Sequence, residues 1–153
     1  MITIRKSVTA DTRTCDPSTV TKEALLASSI QHISDVGKGI AFFAARLTEA
    51  ASVHDYDKLS EIDWFHGDFT TDILKPRGWL ETHYRTHRHH LDKQGGCPDD
   101  VNLIDVLEHI ADCVMAGMGR SGNVFPIKLT DEQLQRAVVN TVELLKSNVV
   151  VED

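Results

Sequence analysis

Cysteine is scarce in this sequence. Three residues, Cys15, Cys97 and Cys113, are odd in number, far apart and without a Cys-x-x-Cys pair, which argues against both a disulfide framework and a thiolate zinc site. No apolar run approaches the ~18 residues that a membrane span requires, so no membrane partner is expected. Basic surplus is missing too: 16 Lys and Arg stand against 23 Asp and Glu, a formal charge of −7. A surface of that sign repels a phosphate backbone and speaks against nonspecific nucleic-acid binding, although a local basic pocket for a small anion stays open. The opening "MITIRKSVTADTRTCD" carries a basic pair without an apolar stretch behind it, so no secretory signal is expected. A reducing cytoplasm is the expected location.

No repeat, low-complexity tract or linker interrupts the 153 residues, and that length suits one domain with a sizeable core. What is present is helical periodicity. Leu25, Leu26, Ser29, Ile33, Val36, Ile40, Phe43 and Leu47 recur at helical spacing behind a cap at Ser18 or Thr21, as one long helix or as two broken near Gly37 and Gly39. A second helix is expected within "LSEIDWFHGDFTTDIL", stopped at Lys75-Pro76. A third is expected through "GWLETHYRTHRHHLDK" as far as Gly95-Gly96. A fourth covers "DDVNLIDVLEHIADCVMAGM" behind Asp99 or Asp100. A fifth, "TDEQLQRAVVNTVELLKSN", opens on a Thr130/Gln133 capping box. The expected fold is an all-α, single bundle of five to six helices over residues 20–149, with residues 1–19 as a short extended arm.

Histidine is abundant, with eight in the chain. On a helical wheel His83, His87 and His90 share one face and His89 points away. The fourth helix sets Asp105, Glu108, His109 and Asp112 along one stripe with no basic residue among them, opposite Leu103, Leu107, Ile110, Ala111 and Val114. A solvated polar face is the plain reading of such a stripe. Singly, each candidate also has a plain reading: His32 as a boundary residue, Asp55 as a cap for a helix beginning at Tyr56, and Trp64, Phe65 and Trp79 as core or pocket wall.

Together these residues supply what a divalent metal wants, neutral imidazoles and carboxylates on rigid helices. The candidate ligands are His32, His54, Asp55 and Asp112. His83, His90 and Asp105 are candidates for a second site or for the shell around the first. The residues alone leave the late aspartate open between Asp105 and Asp112. A metal of this kind (Mn, Fe, Co, Zn or Mg) activates water toward phosphorus. Lys58 and Arg88 are then placed to neutralise phosphate oxygens, and Glu108 or His87 to handle protons.

The order "QHI", "HDYDK" and "EHIADCV" resembles the HD-domain superfamily of metal-dependent phosphohydrolases, which are helical and named for their His-Asp pair. A closer resemblance is to an uncharacterised family of bacteria and tailed phages, through "QHI", "HDYDK", "HRHH" and "LIDVLEHIAD". The resemblance implies a metal-dependent hydrolase of a small phosphorylated substrate, foremost a nucleotide. Asp57 departs from the pattern, adding negative charge where a small or hydroxyl residue is usual. The competing expectation is a non-enzymatic phage accessory protein that binds a nucleotide-like signal or a host protein. Self-association into a homo-oligomer is compatible with either.

Overall fold

The structure, a computed structural model, describes residues 1–7, 13, 15–71 and 78–153. It is predominantly helical, as expected. In chain order it has β1 (Ile2–Arg5), α1 (Lys22–Val53), α2 (Asp57–Ser60), α3 (Ile62–Thr71), α4 (Trp79–Thr86), α5 (Leu103–Ser121), α6 (Asp131–Lys146) and β2 (Val149–Glu152). The expected helix stop at Lys75-Pro76 lies outside the described residues. Among those residues, no helix is long and apolar enough to cross a membrane. By its internal contacts the chain divides into two compact units: residues 1–46 with 142–153, and residues 47–141.

In the first unit, part of the expected extended arm forms a strand. β1 pairs in parallel with β2, Ile2 opposite Val149 and Arg5 opposite Glu152. α1 covers the carbonyls of β1: Gln31 Nε2 donates to the Arg5 carbonyl (2.8 Å) and Lys38 Nζ to that of Thr3 (2.9 Å). Thr21 caps α1 by accepting from the Ala24 amide (3.1 Å). α1 runs unbroken through Gly37 and Gly39. A helical glycine costs only about 1 kcal/mol, which a helix of this length absorbs.

In the second unit, Leu91, Val101, Val106 and Ala137 form the core, with Cys97, Leu103, Ile110 and Leu129 packed against it. The Thr130/Gln133 capping box opens α6 as expected, each side chain holding the other's amide (2.9 and 3.1 Å). The cap of α5 is Asn102 rather than Asp99 or Asp100. Asn102 Oδ1 accepts from the Ile104 amide (2.9 Å), and Asp105 Oδ2 accepts from the Asn102 amide (2.8 Å). α4 stops at Thr86 instead of continuing to Gly95, because His87 turns extended at φ −89°, ψ 110°. The following loop folds back so closely that a Cβ on Gly96 would lie 2.2 Å from the His90 carbonyl oxygen. Glycine is therefore required there.

α5 turns its polar stripe inward. Asp105, His109, Cys113 and Gly117 are buried at four-residue intervals, while Leu107 and Met115 are exposed. The expected solvated face is thus a packed one.

Candidate metal centre

The centre is built in the second unit around the turn that follows α1. Asp55 has φ 51°, the only non-glycine residue with positive φ among those described. Aspartate tolerates that left-handed conformation better than most residues, but it still carries strain. The strain is not spent on a cap: Tyr56 occupies the N-cap of α2 and makes no side-chain cap bond.

The Asp55 carboxylate is the hub. Its Oδ1 lies 3.4 Å from both His83 Nε2 and His89 Nε2. Its Oδ2 pairs with Lys58 Nζ and lies 3.7 Å from His54 Nε2. Two groups of potential ligand atoms share this residue, His54 with Asp55 and His89, and Asp55 with His83 and His87, the atoms of each lying within 4.8 Å of one another. Two ligands bound at about 2.1 Å to one ion sit at most about 4.2 Å apart, so either group would draw together around a bound ion.

Polar satisfaction points the same way. Among the described residues, buried polar side-chain atoms without a hydrogen-bond partner are Ser28 Oγ, Asp55 Oδ1, His87 Nε2, both ring nitrogens of His89, and Arg136 Nε. Four of these six atoms belong to the cluster. An orphaned buried polar group costs about 1–3 kcal/mol, so their concentration at one point fits residues arranged for a cation.

Carboxylates behind the imidazoles fix the ring orientations. Asp57 accepts from His83 Nδ1 (2.8 Å), leaving Nε2 turned toward Asp55, and lies 2.9 Å from His87 Nε2. Glu108 accepts from His54 Nδ1 (2.9 Å) and lies 3.0 Å from His89 Nδ1, off the hydrogen-bond direction. Such outer partners hold a ligating imidazole in its tautomer. His109 Nδ1 donates to the His89 carbonyl (2.9 Å), tying the loop to α5.

Burial pushes the His90 imidazole down to about 2 and lowers that of His83, despite Asp57 and Asp55 pulling His83 the other way. Burial alone would raise the carboxyls of Asp55 and Glu108. Lys58 outweighs it at Asp55, as His89 and His54 do at Glu108, and both carboxyls are held below their ordinary values. The signs add. Below the ordinary imidazole value of 6.5 the unfolded chain gains protons that folded His83 and His90 refuse. As pH falls further, the stabilisation that depends on ionised Asp55 and Glu108 is lost as well. Metal-free protein is therefore expected to lose stability from about pH 6.5 downward, by up to about 1.4 kcal/mol per pH unit for each imidazole. Denaturant titrations in chelator between about pH 7.5 and 4.5 check this; a flat profile above pH 5 contradicts it.

The structure rearranges the candidate list. His54 and Asp55 come together, while Asp112, its Oδ1 3.9 Å from His54 Nε2, belongs to neither ligand group. His32 belongs to neither ligand group. His83 and His87 join the cluster, and His90 Nε2 lies 2.8 Å from His83 Nε2. His89, expected to point away, is fully buried inside it, because α4 ends before it and the helical wheel does not apply.

Asp105 and Arg88 are engaged with each other. Arg88 Nε and Nη2 donate to the two Asp105 oxygens (2.8 and 2.9 Å), and Nη1 donates to Asp100 Oδ1 (2.9 Å). This fork pins the loop to the start of α5, and it removes Arg88 as a phosphate clamp and Asp105 as a ligand. Glu108 is held low by imidazoles, so it is no proton carrier tuned near neutrality. Asp57, the departure from the family pattern, is the carboxylate that sequence reasoning missed; its position one turn from His54 on a short helix was the available signal.

Beside His54 opens a cavity of about 330 Å³, lined by Leu47, Ala50, Ala51, Leu107, Ala111 and Met115, with His54, Glu108 and Asp112 at its polar side. No lysine or arginine lines it. Compared with models of known protein families, with curated proteins and with solved structures, the chain matches none.

Proposed function

We propose that the Asp55 cluster holds a divalent metal ion and that the protein is a metal-dependent hydrolase of a small phosphorylated substrate, foremost a nucleotide. The observation that carries the metal reading is the gathering of buried polar atoms without a hydrogen-bond partner, Asp55 Oδ1, His87 Nε2 and the two His89 nitrogens, in one cluster of imidazoles and carboxylates. Asp55 with His54 and His89, or with His83 and His87, would hold the ion. Several imidazoles per carboxylate suit Zn²⁺, Mn²⁺, Fe²⁺ or Co²⁺ better than the oxygen-preferring Mg²⁺. Such an ion supplies the positive charge that makes water a nucleophile at neutral pH.

The remaining work falls to the chain. Lys58, paired with Asp55 and 39% exposed, is the cation placed to meet a phosphate oxygen. Asp57 and Glu108 keep the imidazoles aimed. The cavity falls at the lower end of small-molecule pocket sizes. Its apolar wall takes the non-phosphate part of the substrate, since its carboxylates repel phosphate. The His54-Asp55 pair and the helical architecture are consistent with the HD-domain resemblance.

A second reading, a binding protein without turnover, is favoured by one feature: Arg88 is engaged by Asp105 and Asp100, leaving Lys58 as the cation paired directly with the hub. One experiment separates the two readings. Protein purified without chelator is expected to carry about one ion or more per chain by elemental analysis. Unfolding in Mn²⁺ or Zn²⁺ at a hundredfold excess over Kd should gain about 2.7 kcal/mol. Release of phosphate or pyrophosphate from a nucleotide panel with Mn²⁺, Mg²⁺, Co²⁺ and Zn²⁺ supports the hydrolase. Bound metal without turnover supports the binding protein, and no metal, with His54→Ala changing nothing, rejects both.

A further inference from the structure

Among its described residues, the first unit shows no apolar core. Of its described residues only Ser28 is buried, and no apolar side chain is. Strand pairing and helix caps do not sustain a unit of this size without apolar burial. Its apolar side chains lie outside: Leu26, Ile30, Ile33 and Ile40 of α1 are all exposed, Ile33 at 69% and Ile40 at 63%. With Gly37 they follow a 4-3-4-3 spacing, the seam of a heptad pattern. A Cβ added at Gly37 would meet nothing within 4 Å. The opposite face of α1 is the one its own unit uses, through buried Ser28, Gly39 beneath Leu145, and the Gln31 and Lys38 bonds to β1.

We infer that a second copy of this chain packs along α1, seam against seam. A heptad seam is self-complementary under a two-fold axis, and the pairing supplies the apolar burial that the described residues of the first unit lack. The flanking positions, Ala27, Ser29, Ser34, Val36, Ala41 and Phe43, carry no charge, so two identical faces meet without repulsion and small residues permit close approach. A lipid surface fits less well. Interfacial helices bring a lysine- and arginine-rich polar face, whereas Lys38 here is committed to Asp35 and the Thr3 carbonyl, and the chain is acidic overall.

The test is sedimentation and thermal unfolding of the full chain over a wide dilution series. Two chains of 17.0 kDa should sediment together, and the unfolding midpoint should rise with concentration, as it must when folding and association are linked. The double variant Ile33→Glu/Ile40→Glu should shift the mass to one chain. If it also loses helix, the wild-type dilution series decides alone. A one-chain mass with a concentration-independent midpoint overturns the inference, including where a different protein covers this face in the cell. A two-chain mass that the double variant leaves intact overturns it too.

Discussion

Exchanging Asp55 for glycine is expected to abolish metal binding while changing the stability of the metal-free protein by no more than about 1 kcal/mol in either direction. The two effects separate because Asp55 is held at φ 51°, a conformation glycine adopts without strain. Glycine also removes Oδ1, a buried oxygen with no hydrogen-bond partner. Against these gains stands the pair with Lys58, whose ammonium is 39% exposed and recovers hydration when the carboxylate goes, so that loss is small. No such offset exists for the ion: both ligand groups contain Asp55, and neither is complete without it. Asp55→Asn is the control, because asparagine tolerates the same backbone but brings no charge; its metal content should fall as well. Elemental analysis and denaturation in chelator give the two readouts. Full metal content in Asp55→Gly would remove the hub from the account, and a loss above about 2 kcal/mol would make it a structural residue.

Trp79→Ala is expected to cost about 3–5 kcal/mol, much of the total stability of a typical domain. Trp79 is 1% exposed. Its ring stacks on Phe65 at 4.2 Å and on His83 at 4.7 Å, and its Nε1 donates to Glu61 Oε2 at 2.8 Å. The indole is thus both core and the wall behind a candidate ligand, the His83 imidazole. Trp79→Phe keeps the stack and gives up one hydrogen bond to an exposed carboxylate, for about 1 kcal/mol. Metal affinity should follow stability in this series, because His83 loses its orientation when the wall is removed. Denaturant unfolding with and without metal checks it. A Trp79→Ala cost below about 1 kcal/mol would mean that the wall is dispensable.

Local chemistry in the sequence reached a good part of this arrangement. Helical spacing located α1, α5 and α6, because a 3.6-residue period is a property of neighbouring residues alone. The caps at Thr21 and Thr130 were legible for the same reason. The pairing of His54 with Asp55 marked the turn where the candidate centre forms, and the crowding of histidines after residue 82 marked the segment that meets it.

What tertiary structure decided is where those segments end and which way they face. A wheel drawn through residues 83–90 sent His89 outward, but α4 stops at Thr86 and the loop, held back by Gly96 and by the Arg88–Asp105 fork, turns His89 into the cluster. The alternative of a break near Gly37 does not arise, because a helical glycine costs too little to end so long a helix. Asp57 read as a stray charge until folding set two imidazoles against it. Periodicity and capping act over a few residues and can be read along the chain. The partner of a buried charge lies tens of residues away, and only the folded chain selects it.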